Sequence, residues 1–111
     1  MWQEAVIVAR HVYVLTAKFP RDELFGITSQ MRRSSVSIAS NIAEGSARQT
    51  NKEFVQFLYI ALGSIAELET QLEIAVEVAL IDKDSILGLI DALNKLSRSL
   101  NKLQQSLRPT K

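Results

Sequence analysis

The sequence predicts an all-α protein: an antiparallel, up-down-up-down four-helix bundle with left-handed packing. Three observations carry this reading. The only prolines are Pro20 and Pro109, so the chain between them lacks the residue that removes a helix hydrogen bond and clashes with the preceding turn. Apolar residues recur at alternating spacings of four and three over two long segments, which is the period of a helix seam and of left-handed, near-antiparallel packing. The links between the periodic segments are short, and short links make successive helices antiparallel neighbours. The chain has 111 residues, so one domain, 1–111, is expected, long enough to bury one sizeable core.

Helix one is expected over about residues 2–18. Trp2, Ala5, Ala9, Val12 and Thr16 form one stripe, widened by Val6 and Tyr13. Ile7, Val8, Val14 and Leu15 lie off it, so this helix is apolar nearly all round and calls for burial on several sides. Phe19-Pro20 ends it, because the residue before proline avoids the helical region. Pro20 to Glu23 then starts a short turn that stops at Gly26. Helix two is expected over 29–44, with Thr28 as N-cap and Gly45 as a left-handed C-cap. Its seam is Met31, Ser35, Ile38 and Ile42. Helix three, 51–80, opens with a capping box, Thr50 and Glu53. Its seam runs Phe54, Leu58, Ala61, Ile65, Leu68, Leu72, Ala75, Ala79, and Gly63-Ser64 is read as a point of close backbone approach. Helix four, 85–107, follows Asp84 as N-cap. Its seam is Ile86, Leu89, Leu93, Leu96, Leu100, Leu103 and Leu107, and Pro109 stops it.

Helices one and three carry more apolar surface than one seam needs. Either a monomer has an unusually thick core, or a face is buried against identical subunits, as closed-symmetry oligomers do. At 47% hydrophobic residues the chain is no candidate for disorder. With no cysteine, disulfides, thiolate metal sites and cysteine nucleophiles are excluded. The N-terminal MWQEAVIVARHVYVL is interrupted by Glu4 and Arg10 and lacks a small-residue cleavage site, so it is not read as a signal peptide. No apolar span reaches membrane length. A cytoplasmic protein without a membrane partner is expected.

Catalytic constellations are lacking, so the chain is not expected to be an enzyme. His11 is the only histidine and has no partner for a zinc site. No serine sits in a nucleophile elbow, and no phosphate-cradling G-x-x-x-x-G-K-[ST] loop exists. Glu69, Glu73 and Glu77 form a ladder spaced by four. Di-metal bundles, however, pair glutamates with Glu-x-x-His motifs on facing helices, and one histidine cannot supply two. No metal and no cofactor are expected.

Two polar features remain. Gln30, Arg33, Ser37, Asn41 and Glu44 share one face of helix two. Solvated faces favour Lys and Glu, whereas Ser and Asn are poor helix formers. These short side chains therefore suggest close packing through specific hydrogen bonds, with Arg33 paired to Glu67 on helix three. The second feature is charge. The net charge is only +1, but the segment from Glu53 to Leu80 holds five Glu and no Lys or Arg, whereas Lys95 to Lys111 holds five basic residues and no acid. Lys95, Arg98 and Lys102 fall along one face of helix four, and Arg32, Arg48 and Lys52 lie on or near helix two. Such sets are either solvated faces or phosphate-binding surfaces, since Lys and Arg contacts to phosphate dominate nucleic-acid affinity. Without a recognition-helix motif, binding of RNA or DNA would read backbone and shape more than sequence.

The order of these pieces resembles a known family. Phe19-Pro20 with Glu23, Gly26 through Gln30, Arg33, Ser37-Ile38, the run Asn41-Ile42-Ala43-Glu44-Gly45, and Gly63-Ser64 with Glu67-Leu68-Glu69 look like the four helix bundle proteins encoded within intervening sequences of 23S ribosomal RNA genes. Ser34-Ser35 departs from that pattern, where the family often has an alanine. The family is similar to the accessory variability determinant of diversity-generating retroelements, a barrel-shaped homopentamer that binds nucleic acid and a reverse transcriptase. The resemblance implies a homo-oligomer, with a pentamer favoured. It marks Arg33, Asn41, Glu44, Gly45, Gly63 and Glu67 as residues of fold and assembly rather than of an active site. The expectation is a non-enzymatic, oligomeric nucleic-acid binding module. The alternative is a protein-interaction scaffold that docks a partner such as a reverse transcriptase.

Overall fold

A computed structural model describes residues 1–108, so the stop assigned to Pro109 lies outside the described residues. Four helices, α1 (Trp2–Thr16), α2 (Ser29–Ser46), α3 (Asn51–Glu77) and α4 (Lys83–Leu107), make up the chain, with no strand among the described residues. Each helix packs on the next, and α1 closes back onto α4. The molecule is elongated, 50 × 23 × 19 Å, as expected when α3 alone spans 27 residues, or about 40 Å at the helical rise.

The heptad seams meet along the bundle axis. Met31, Ser35, Ile38 and Ile42 of α2 are buried, as are Leu58, Ile65, Leu68 and Leu72 of α3 and the leucines of α4 from Leu89 to Leu100. Val8, which lies off the predicted stripe of α1, is nonetheless buried with Ala5 and Val12, while Trp2 at the stripe's end is half exposed. Near the end of α4 the seam drifts: Leu103 and Leu107 are only partly buried, and Gln104 takes the inward position. A 3.6-residue turn slips against a strict seven-residue pattern, so a straight helix rotates its stripe as it lengthens.

The helix ends differ from the sequence reading in several places. α1 stops at Thr16, whose hydroxyl donates to Val12 O at 2.8 Å. A single 3₁₀ turn, Arg21–Glu23, and a π-helical turn, Leu24–Thr28, bridge to α2, with Gly26 breaking the helical path at φ −112°, ψ −116°. Thr28 is therefore not an N-cap: it has helical angles, makes no capping bond, and buries its hydroxyl without a partner. Gly45 is not a left-handed C-cap either. No glycine has positive φ, and α2 runs through Gly45 to Ser46. Its last carbonyls are taken by Ala47 N and Arg48 N instead.

The N-cap half of the α3 capping box forms, with Glu53 N donating to Thr50 Oγ1 at 3.2 Å; the Glu53 carboxylate accepts from the Thr50 hydroxyl at 2.9 Å instead of from the Thr50 N–H. The far end comes three residues before the predicted Leu80. Ala79, assigned to the seam by its spacing, instead adopts a left-handed φ of 62°. Around it Ala79 N donates to Val76 O and Leu80 N to Ala75 O, the paired bonds of a Schellman turn. α4 begins at Lys83, so Asp82 and not Asp84 occupies the N-cap position, without a side-chain capping bond.

Candidate nucleic-acid interface

The leucines of α4 face the core and so fix its outer face. Lys95, Arg98 and Lys102 are all exposed there, one turn apart. Lys95 Nζ lies 3.1 Å from Asp91 Oδ2, a solvent-exposed i,i+4 pair, and such pairs are weak. Arg98 and Lys102 have no ion-pair partner among the described residues. Where α4 ends, Arg108 donates to the hydroxyl of Tyr59 on α3 and sits over its ring, 5.8 Å from the centroid. Arg108 thus extends the stripe onto the α3 side. The acid-free run from Lys95 onward was the sequence signal for it, although the heptad spacing leaves Arg108 beyond the helix.

The three basic residues near α2 are not brought together. Arg32 and Arg48 lie 16 positions apart, about 24 Å along a helix. Arg32 is held in place: its Nε donates to Thr16 Oγ1 at 2.9 Å and its guanidinium stacks 4.7 Å from the Tyr13 ring centroid. Arg48 pairs with Glu44 and lies over Phe57 at 5.0 Å. Lys52 is exposed at the start of α3. The antiparallel order puts Arg48 and Lys52 at the same end of the bundle as Lys102 and Arg108, with Arg32 at the other end. The structure therefore offers one exposed stripe on α4 and a basic bundle end, not one six-residue patch.

The polar face of α2 is only partly as expected. Ser37 and Ser64 hydroxyls meet at 2.8 Å across the α2–α3 contact, and Asn41 Nδ2 donates to Ser37 O at 2.8 Å and Ser37 Oγ at 3.0 Å. These short side chains do replace a solvated face with specific bonds. Arg33 and Glu67 do not form the expected pair. Both are exposed and line one open α2–α3 cleft with Gln30, Ser34, Ser37 and Gln71, but no ion pair joins them among the described residues. The physical reason is that the serines bring the helices together below the two long side chains, which remain in water and gain little from pairing there.

The close approach expected at Gly63 is found at Gly45 instead. Gly45 is buried where α2 meets α3: a Cβ there would lie 2.8 Å from both Phe54 Cδ1 and Phe57 Cβ. Gly63 faces open space, with nothing within 4 Å of a Cβ. Close approach is therefore at Gly45, and Ser64, not Gly63, meets the neighbouring helix. Among the described residues no group of three or more His, Asp or Glu is placed to hold a metal ion, and no helix is long and apolar enough to cross a membrane.

A family model described as 23S rRNA-intervening sequence protein matches residues 1–102. The chain is similar in structure to a Bacteroides thetaiotaomicron protein of unknown function from the S23 ribosomal protein family. The TM-score is 0.84 at 23% identity, covering 94% of this chain and 97% of the other. At that identity the likeness shows the fold. No curated protein matches the chain.

Proposed function

The chain belongs to the 23S rRNA-intervening sequence protein family, and from that premise we propose that it is a non-enzymatic, oligomeric module that binds nucleic acid, RNA in the first place, in the cytoplasm. The observation that carries this is the α4 stripe. Lys95, Arg98 and Lys102 stand exposed on a helix whose orientation is locked by buried leucines, in a segment without acids. Charges one turn apart on a rigid helix can follow successive phosphates. Contacts of this kind position a duplex or strand without reading its bases. In an oligomer the stripe recurs in every subunit, and a modest local charge becomes an extended positive field. The ring of five implied by the family resemblance is part of this proposal.

The test is a triple substitution, Lys95→Gln, Arg98→Gln and Lys102→Gln. Glutamine is a comparable helix former, so helicity should be unchanged. RNA affinity should fall about equally across sequences, and the slope of log K against log salt should flatten by about 2 if each residue meets one phosphate. Unchanged affinity with an unchanged slope would make the stripe a solvated face and move attention to Arg48 and Lys52.

A second reading, a scaffold for a protein partner, is favoured by the apolar side chains left exposed, Phe25 at 94% above all. It takes over if the parent protein binds no RNA or DNA even at low salt.

A further inference from the structure

Two exposed surfaces of this chain complement each other. The first is the outer edge of α1 and α2 together with the π-helical turn. Phe25 stands 94% exposed there, beside a groove lined by Tyr13, Leu24, Arg32, Arg33 and Val36. Tyr13, Leu24 and Val36 are each at least 40% exposed. The groove is thus aromatic and basic, with the Arg32 guanidinium already fixed against Tyr13 by its bond to Thr16 and the Glu23 carboxylate outside it, beside Gly26. Aromatic and arginine side chains of this kind dominate protein–protein contacts. The second surface is the outward stripe of α3. Ile60 and Ile74 are about half exposed, and between them the helix presents Gly63, Ala66 and Thr70. No atom lies within 4 Å of a Cβ at Gly63, so the stripe is shallow and open. The charge that α3 itself contributes is all acidic: Glu67, Glu73 and Glu77 are exposed, and no Lys or Arg occurs from Glu53 to Leu80; Arg33 of α2 borders the stripe only at its Glu67 edge.

We propose that the Phe25-bearing α1–α2 edge of one copy docks on the α3 stripe of a second copy of this chain. Phe25 is the knob and the Gly63–Ala66–Thr70 stretch, flanked by Ile60 and Ile74, is its seat. Opposite charge fixes the pairing. The third exposed apolar set, Ile7 and Val14 on α1 with Leu87 on α4, has exposed charges of both signs near it in the chain (Lys18, Asp82, Asp84) and offers no such match. Complementary potentials select partner and register. The two faces belong to different elements and carry different chemistry, so the contact is heterologous. Every copy keeps one free face of each kind, and repetition closes a ring or extends a fibre. This rests on the oligomeric part of the proposed function and says which surfaces build the oligomer.

The experiment uses Phe25→Asp and Ile74→Asp, measured without nucleic acid. Both positions are exposed, so circular dichroism should report unchanged helix content; Phe25→Ser and Ile74→Ser serve if an aspartate variant does not fold. Each variant alone should run as a single chain of 12.4 kDa. An equimolar mixture should form a 1:1 dimer and no larger species, because one intact edge and one intact stripe remain between the two chains. A parent protein that is monomeric at micromolar concentration overturns the proposal. So does either variant keeping the parent's mass, or a mixture that stays monomeric. Loss of RNA binding by the parent would sink the nucleic-acid reading and leave this contact standing.

Discussion

Gly45 and Gly63 are both helix-interior glycines, and only their surroundings tell them apart. Alanine is favoured over glycine within a helix by about 1 kcal/mol. At Gly63 nothing opposes that gain, so Gly63→Ala should raise stability by about 0.5–1 kcal/mol. At Gly45 the new methyl would meet Phe54 and Phe57 at 2.8 Å. The Cβ of Phe57 cannot turn away without moving the α3 backbone, and overpacking of this kind costs about 1–3 kcal/mol. Gly45→Ala should therefore lower the urea midpoint while Gly63→Ala raises it. The same shift for both would show that α2 and α3 are not in contact at Gly45. Because Gly63 belongs to the proposed seat, both variants are best compared where the protein is dilute.

At the scale of elements, α3 has one strong terminus and one compromised one. The Thr50 hydroxyl oxygen accepts from Glu53 N, one of its first free donors, and in turn donates to the Glu53 carboxylate. Its far end closes through the paired turn at Ala79, a residue with a Cβ held at φ 62°. The left-handed region costs a non-glycine residue about 1–2 kcal/mol, and glycine gives back part of this gain through its greater freedom in the unfolded chain. Ala79→Gly should stabilise by about 0.5–1 kcal/mol, read as a higher urea midpoint with an unchanged slope. A lower midpoint would mean that α3 continues to Leu80. The α2–α3 contact is the other element-level feature: the Ser37 and Ser64 hydroxyls hydrogen-bond across it, Asn41 of the same helix donates to Ser37, and Gly45 sets its spacing.

At the scale of the molecule, four helices around one core leave Trp2, Ile7, Val14, Phe25, Ile60, Ile74 and Leu87 substantially exposed. Isolated exposed apolar residues are ordinary, but aligned sets of them mark contact surfaces. Covering them by self-association links stability to concentration. The melting temperature should rise as the protein is concentrated, and light scattering at micromolar concentration should give a multiple of 12.4 kDa. A concentration-independent melting temperature together with a mass of one chain would return the surplus apolar surface to a monomer.

The sequence by itself determined the four helices and their inward faces. An apolar period of three and four, sustained over Leu58 to Leu72 and Ile86 to Leu100, can be buried on one side only if the segment is helical. The Thr50 N-cap was also legible, because it depends on residues three apart. What only the tertiary structure decided were features set by residues far apart in the chain. Gly45 resembles a C-cap until Phe54 and Phe57 are seen against it, and Ala79 fits the seam until the chain turns at that point. Arg33 and Glu67 share a suitable register, but the serines beneath them hold the helices so that both remain in water. Arg32, which looked like one more basic residue, is fixed by Thr16 and Tyr13 of another helix. Local spacing is written in the chain, whereas the neighbour that gives a glycine or an arginine its role arrives only when the helices pack.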